Sequence, residues 1–255
     1  MKVPQRGGRP APGPGHPGGT SGTHFGLPPA AVTGESPAGA AAARPVVAFD
    51  FDGTITSKDT LRLFLTRIRG PRDLASTFLR HAPQLGLALR GGSARDRAKQ
   101  LICMDVLGGL DRRVAEAAAF DTAEQVRGSL IRPDAEARIR WHRAEGHRII
   151  VVSASFEAYV ALVAAALGVD EVIATRWEVD PATDTLTGRL DGLNVRGEAK
   201  VTLLDEHLGG RCDLAYAYGN SAGDTAMLAR AEIPVRVGRL PLPELTGRPR
   251  ADPRS

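Results

Sequence analysis

Two aspartates, two residues apart, close an apolar run. The segment reads Val46-Val47-Ala48-Phe49-Asp50-Phe51-Asp52-Gly53-Thr54. Acids are poor residues at the end of a core strand unless they have work to do, because burying an unpaired carboxylate is costly. On a fully extended chain the i, i+2 spacing points both side chains the same way. Here the strand ends, and Gly53 lets the backbone turn sharply. One carboxylate can then face a reacting centre while the other sits beside it as a proton donor or acceptor. A strand-end turn with two solvated aspartates is the plain alternative.

Three further stations bear on that choice. The run from His147 through Val151-Val152 ends on Ser153-Ala154-Ser155. Gly197-Glu198-Ala199-Lys200 opens a helical pattern with a lysine in its first turn. Leu214-Ala215-Tyr216-Ala217-Tyr218 leads into Gly219-Asn220-Ser221-Ala222-Gly223-Asp224. In an open α/β sheet the carboxyl ends of the strands face one crevice, where such sheets bind ligands. Asp50, Asp52, Ser153, Asn220 and Asp224 can therefore converge although they lie far apart in sequence.

Taken in this order, the four stations resemble the four motifs of the haloacid dehalogenase superfamily, phosphatase branch. Asp50 to Thr54 resembles the first motif, Ser153 the second, Lys200 the third, and Gly219 to Asp224 the fourth. The likeness spans roughly residues 45–238. The helical insert after the first motif is similar to subfamily IB, which includes phosphoserine phosphatases and several phospholipid head-group phosphatases. The resemblance implies an α/β fold: a Rossmann-like parallel sheet with helices on both faces and a helical cap inserted after the first strand.

Each station has a matching physical role. Asp50 is a carboxylate nucleophile that would form an aspartyl-phosphate. Asp52 would protonate the leaving oxygen and then activate water. Phosphoryl transfer needs chiefly positioning and charge neutralisation. Thr54 and Ser153 offer hydroxyl donors to phosphate oxygens, and Lys200 a compact charge. Asp50, the Asp52 carbonyl, Asn220 and Asp224 are oxygen ligands suited to Mg²⁺. Asn220 departs from the family pattern, in which an acid more often stands. An amide ligates without adding charge, which bears on how tightly metal is held.

Lys200 gains weight from composition. Of 33 basic residues only Lys2, Lys58, Lys99 and Lys200 are lysines. A lysine in a first helical turn also opposes the helix dipole. Ser153 competes with a plainer role, because a strand-end serine often caps the next helix. Ser155 suits that cap better by position, which leaves Ser153 for phosphate.

The elements that must position these residues follow from the rest of the 255-residue chain. Residues 1–44 are rich in Gly, Pro and Ala and hold one acid, Glu35. Such a stretch cannot bury a core and is expected to be disordered. It lacks the apolar segment of a signal peptide. Lys2, Arg6, Arg9 and Arg44 against Glu35 give it +3 of the chain's +4. The remainder is near neutral, so the basic balance does not argue for nucleic acid. The catalytic core is expected at 45–57 and 131–240, the cap at 58–130, and a flexible tail at 241–255.

Within the cap, Leu61, Phe64, Leu65 and Ile68 recur at helical spacing. Further helices are expected at 73–89, bent near Pro83, at 95–107 and at 111–127. Pro133 starts a core helix. Residues 175–190 read as a hairpin turning at 180–184, and 234–237 as a last edge strand. The cap carries Arg62, Arg67, Arg69, Arg72, Arg80, Arg90, Arg95 and Arg97. These form a solvated face, or else Arg95 or Arg97 meets an anionic substrate group.

No apolar run reaches the ~18 residues that span a bilayer. Cys103 and Cys212 fit no metal spacing and suggest a reducing, cytoplasmic compartment. His142 and His147 read as surface or packing residues. The expected activity is Mg²⁺-dependent hydrolysis of a small phosphomonoester. Phospholipid head-group phosphates and lysophospholipids are among the candidates, and phosphoserine is the alternative. Glycines usually follow the second-motif serine in phosphoserine phosphatases, where this chain has Ala154 and Ser155. The basic tail and arginine-rich cap suit transient contact with an anionic membrane surface. Dehalogenation on the same fold is opposed by Asp52, since no leaving oxygen would need its proton. A catalytically weak binding protein has Asn220 in its favour and Asp50, Asp52 and Lys200 against it. Oligomeric state is not legible.

Overall fold

The computed structural model describes residues 44–88, 93–211 and 213–242, without the side chains of residues 88, 93, 95 and 96. The tail over 1–43, Arg90, the Arg95 side chain, Cys212 and residues 243–255 lie outside the described residues.

Six strands form one sheet in the order β4-β3-β2-β1-β5-β6. They are β1 (Val46–Phe49), β2 (Arg148–Phe156), β3 (Glu171–Asp180), β4 (Thr185–Asp191), β5 (Leu214–Gly219) and β6 (Ala231–Arg236). Neighbours are parallel except β3 and β4, which pair as an antiparallel hairpin. Central β1 sets Val47 beside Ile149 on one flank and Tyr216 on the other. Side chains alternate between two apolar layers. Val47, Phe49, Ile149, Val151, Tyr216 and Tyr218 enter one; Val46, Ala48, Ile150, Val152 and Ala217 enter the other. Both faces being covered, the strands need unbroken apolar runs rather than alternation. The last strand is longer than expected and starts at Ala231.

Five helices follow β1: α1 (Thr60–Arg69), α2 (Pro71–Arg80), α3 (Ala82–Ala88), α4 (Ser93–Leu107) and α5 (Arg112–Ser129). Asp59 caps α1 by accepting from the Arg62 N–H, and Asp111 caps α5 through the Arg113 and Val114 N–H groups. The bent helix expected at 73–89 is two helices. It breaks at His81, whose N–H bonds back to Thr77. Pro83 then falls in the first turn of α3, where a missing N–H costs nothing.

Two contacts seat these helices on the sheet. Phe64 of α1 stacks on Trp177 of β3 and meets Phe156 and Tyr159. Helix α4 lies against the β3–β4 hairpin at Gly188, where a Cβ would stand 2.6 Å from the Met104 Cα. The arginines of this region mostly join helix to helix. Arg69 donates to the Val106 and Asp105 carbonyls, Arg80 pairs with Asp105, and Arg67 bonds Gln125.

The remaining helices are α6 (Pro133–Ala144), α7 (Glu157–Leu167), α8 (Glu198–Leu208) and α9 (Thr225–Leu228). His142 is a buried packing residue, joined to His147 and to the Tyr218 hydroxyl. Both ends of the described core are pinned. Arg44 donates to the Gly146 and His147 carbonyls, and the Leu242 N–H bonds Asp134.

Candidate active site

Strand β1 stops at Phe49, and the Asp50 N–H still bonds the Tyr218 carbonyl of β5. Just beyond, the chain wraps around one acceptor: the N–H groups of Thr54, Ile55 and Thr56 all reach the Phe51 carbonyl. Gly53 makes this turn with φ +73°, a conformation that costs little only without a Cβ. The turn separates the two carboxylates. Asp50 faces the strand ends, and Asp52 faces the start of α1.

Lys200, fully buried in the first turn of α8, joins the distant stations. Its Nζ stands 2.6 Å from Asp50 Oδ1 and 2.8 Å from Asp224 Oδ1, and donates to the Val152 carbonyl at 2.6 Å. Asp50 Oδ2 accepts the Thr54 hydroxyl at 2.9 Å. Asp224 Oδ2 accepts the Asn220 N–H, the Ser221 N–H and the Ser221 hydroxyl. That capping box starts a short 3₁₀ turn at Ala222–Asp224 and fixes the acid through three protein donors.

Burial pushes the Asp50 carboxyl up, against the pull of Lys200, and Asp224 adds to the rise. Burial would also raise Asp224, but the Lys200 charge and hydrogen bond, with the Ser221 donors, hold it below its ordinary value. Burial would lower Lys200; the charges of Asp50 and Asp224 outweigh it and keep the ammonium protonated. Lys200 is thus held as an ammonium between the two acids.

Asp52 has a different setting. Its Oδ1 accepts the Thr60 N–H and the Thr60 hydroxyl, each at 2.7 Å, and its Oδ2 accepts the Ser155 hydroxyl. The amide at the start of α1 is one of the donors a helix leaves unpaired. Burial nonetheless pushes its carboxyl up to about 6, with Asp59 adding to the rise and the Ser155 and Thr60 donors opposing it. That lies near the operating range of a general acid and base.

Asp50, Asp52, Lys200, Asn220 and Asp224 line one cavity of about 600 Å³. Thr54 lies just behind Asp50. Ser153 is buried, its Oγ accepts the Ser155 N–H, and it is not among the lining residues. Ser155 lines the cavity instead and does not cap a helix. It lies within β2; α7 starts one residue after Phe156, which has no capping side chain. The β2–β3 register slips between Ser153 and Phe156, and this irregularity turns Ser155 toward Asp52.

Arg97 is not a lining residue either; among the described residues, the basic ones that α1 and α4 contribute are Arg62 and Lys99. Lys99 donates to the Ala154 carbonyl and to Asn194 Oδ1, tying α4 to the core. Sequence reasoning passed over Thr60, Ser155 and Lys99. For Thr60 there was a signal: Asp59 opens the helix in which Leu61, Phe64 and Leu65 recur.

The oxygen set suits a small hard cation. Among the described residues no group of three His, Cys, Asp or Glu side chains is poised to hold a metal. Asp50 and Asp224 supply two carboxylates, the Asn220 amide a neutral oxygen, and the Asp52 carbonyl a further one. With both acids ionised beside Lys200 the cluster carries a single negative charge. Mg²⁺ takes few protein carboxylates and keeps waters, so the set fits it.

A mostly parallel sheet with two carboxylates beyond the end of an inner strand, and a buried lysine between two acids, is a Rossmann-like arrangement with an ionised site at its strand ends. Residues 47–229 match the model of the family described as haloacid dehalogenase-like hydrolase. The chain is 40% identical over 187 residues to Protein CicA of Caulobacter vibrioides, covering 73% of this chain and 83% of that protein. It is 30% identical over 200 residues to a phosphoserine phosphatase of Halobacterium salinarum, covering 77% and 87%. A solved structure of a Bordetella pertussis protein of unknown function superposes with a TM-score of 0.62 at 25% identity, covering 73% of this chain and 86% of that one. The chain belongs to the haloacid dehalogenase-like hydrolase family, as a phosphatase similar to the phosphoserine phosphatases.

Proposed function

We propose that this phosphatase hydrolyses a small phosphomonoester through an aspartyl-phosphate on Asp50, with Mg²⁺ bound. The observation that carries the reading is Lys200, held 2.6 Å from Asp50 and 2.8 Å from Asp224. A lysine so placed fixes the Asp50 carboxylate and neutralises charge beside it. Asp50, Asp224, Asn220 and the Asp52 carbonyl would hold the metal, which when bound screens the phosphate charge.

An Asp50 carboxylate oxygen attacks phosphorus, and the ester P–O bond breaks. Asp52 gives its proton to the leaving oxygen and then takes one from the water that cleaves the acyl phosphate. Ser155 and Thr60 hold Asp52 at both oxygens through these transfers. Thr54, Ser153 and Lys200 are the proposed donors to the phosphate; the Ser153 hydroxyl accepts the Ser155 N–H and keeps its own proton to donate. Helices α1–α5 act as a cap that excludes water. The setting is proposed to be the cytoplasm, with transient contact to an anionic membrane surface.

Phosphoserine is the second reading for substrate. It is favoured by the likeness to the Halobacterium salinarum enzyme. Against it stand Ala154 and Ser155, where phosphoserine phosphatases usually have glycines. Phosphate release from p-nitrophenyl phosphate, with and without Mg²⁺, tests the activity. A panel of phosphoserine, sugar phosphates and lysophosphatidate then separates the substrate readings.

A further inference from the structure

Most donors around the cavity are already engaged. Lys200 has three N–H protons and three acceptors for them: Asp50, Asp224 and the Val152 carbonyl. The Thr54 hydroxyl is given to Asp50. Lys99 Nζ donates to the Ala154 carbonyl and to Asn194 Oδ1. Lys58 and Arg62 also line the cavity, but they are exposed and meet water.

Arg196 differs from all of these. It lines the same cavity and is half-buried. Arg132, Arg138, Arg148 and Arg230 are the other described arginines that are not exposed. Each has a side-chain partner: Asp134, the Tyr218 hydroxyl, Glu171 and Asp205 respectively. The Arg196 guanidinium has none among the described residues. It cannot shed its proton, and it brings five N–H donors.

The place of Arg196 is fixed. The Val195 N–H bonds the Thr175 hydroxyl, the Arg196 N–H the Asn194 carbonyl, and the Gly197 N–H the Gly223 carbonyl. The side chain lies over Gly223, where a Cβ would stand 3.1 Å from its Cγ, Nε and Cζ. Gly223 is not among the glycines with positive φ, so the close approach of the arginine, and not the backbone, favours glycine there. Asp224 follows Gly223 and stands 2.8 Å from Lys200. Arg196 therefore flanks the nucleophile on the Asp224 side. A leaving oxygen has to reach Asp52, held by Thr60 and Ser155 at the start of α1. Asp50, Asp224 and Lys200 together carry one negative charge, which repels an arriving phosphate; the Arg196 charge cancels it.

We propose that Arg196 binds the phosphoryl group of the substrate, donating two N–H bonds to its outer oxygens. The proposal rests on the phosphatase reading, because it gives the same cavity to a phosphate ester.

Arg196→Met and Arg196→Lys test it, with inorganic phosphate and p-nitrophenyl phosphate as probes, neither of which carries a second anionic group. Calorimetric phosphate affinity and kcat/KM are each expected to fall at least about tenfold in Arg196→Met. Arg196→Lys should recover part of both, and melting temperatures should stay near wild type because no protein contact is lost. In wild-type protein, phosphate is expected to shield Arg196 from phenylglyoxal, read by peptide mass analysis. Unchanged phosphate affinity and turnover in Arg196→Met overturn the contact and leave the phosphatase reading standing. A loss confined to phosphoserine, whose leaving group is charged, also overturns it and moves Arg196 to the leaving group. Phosphate binding through Arg196 with no hydrolysis of any ester keeps the anion site and removes the phosphatase reading. Neither shielding nor hydrolysis overturns both.

Discussion

A Cβ built on Gly53 would stand 1.9 Å from Asn220 Nδ2. The turn after the first acid and the turn after β5 thus interlock, with the amide of one filling the space left by the missing side chain of the other. Gly53 also has φ +73°. Gly53→Ala is expected to strain the turn and displace Asn220 together. Activity should fall at least tenfold and melting temperature by several degrees, in line with the 1–3 kcal/mol of an unfavourable backbone conformation. The double variant Gly53→Ala/Asn220→Gly removes the clash and should recover part of the stability. Thermal melts of the three proteins check this.

Asn220 brings an oxygen but no charge to the proposed metal set, and cation sites are tuned by ligand charge. Asn220→Asp is expected to lower the Mg²⁺ concentration giving half-maximal activity. The maximal rate need not rise, since added negative charge opposes the approach and release of phosphate. A Mg²⁺ titration of both proteins decides it. An equal or greater requirement in the variant removes Asn220 from the metal shell.

Asp52 predicts a pH dependence of stability. Its carboxyl is pushed up to about 6 from an ordinary 3.8, chiefly by burial. The folded state therefore holds this proton more tightly than the unfolded chain. The stabilisation is complete below the unfolded value and is lost as pH rises through about 6. Asp52→Asn keeps the shape and carries no titrating proton. Between pH of about 4 and 7, wild type should lose more stability than Asp52→Asn. Chemical denaturation of both across that range is the check, and parallel profiles would refute the assignment.

The sheet and its four stations were legible because buried parallel strands must be apolar throughout and end where polarity begins. Asp50 and Asp224 followed from that as acids just past apolar strand ends, and Lys200 from its likeness to the third motif and the scarcity of lysine in the chain. Ser155 and Thr60 were not legible as partners of Asp52. Ser155 depends on a register slip in β2 that no residue type announces, and Thr60 on the angle at which α1 enters. The break at His81 was misread as a bend because Pro83 looks alike in a kink and in a first turn. Arg97 drew attention by charge, whereas among the described residues the α4 cation at the cavity is Lys99.

Lys200 is the hub of the buried network, and its removal leaves Asp50 and Asp224 facing each other unpaired. Lys200→Met preserves most of the volume. It should cost about 3–5 kcal/mol of unfolding free energy, as expected when one partner of a buried pair is deleted, and reduce activity by at least a thousandfold. Returning the cluster to a single negative charge with Lys200→Met/Asp224→Asn should recover stability and not activity. Denaturation and turnover measured on the same preparations separate the two effects.

The proposed nucleophile can be trapped. Rapid acid quench of enzyme turning over p-nitrophenyl phosphate with Mg²⁺, followed by reduction of the acyl phosphate and peptide mass analysis, reads which side chain carried the phosphoryl group. The expected result is a single modified peptide with the change at Asp50. It should be absent from Asp50→Asn, whose turnover should be abolished because an amide does not attack phosphorus. Modification at another residue, or turnover by Asp50→Asn within about tenfold of wild type, would contradict the proposed mechanism.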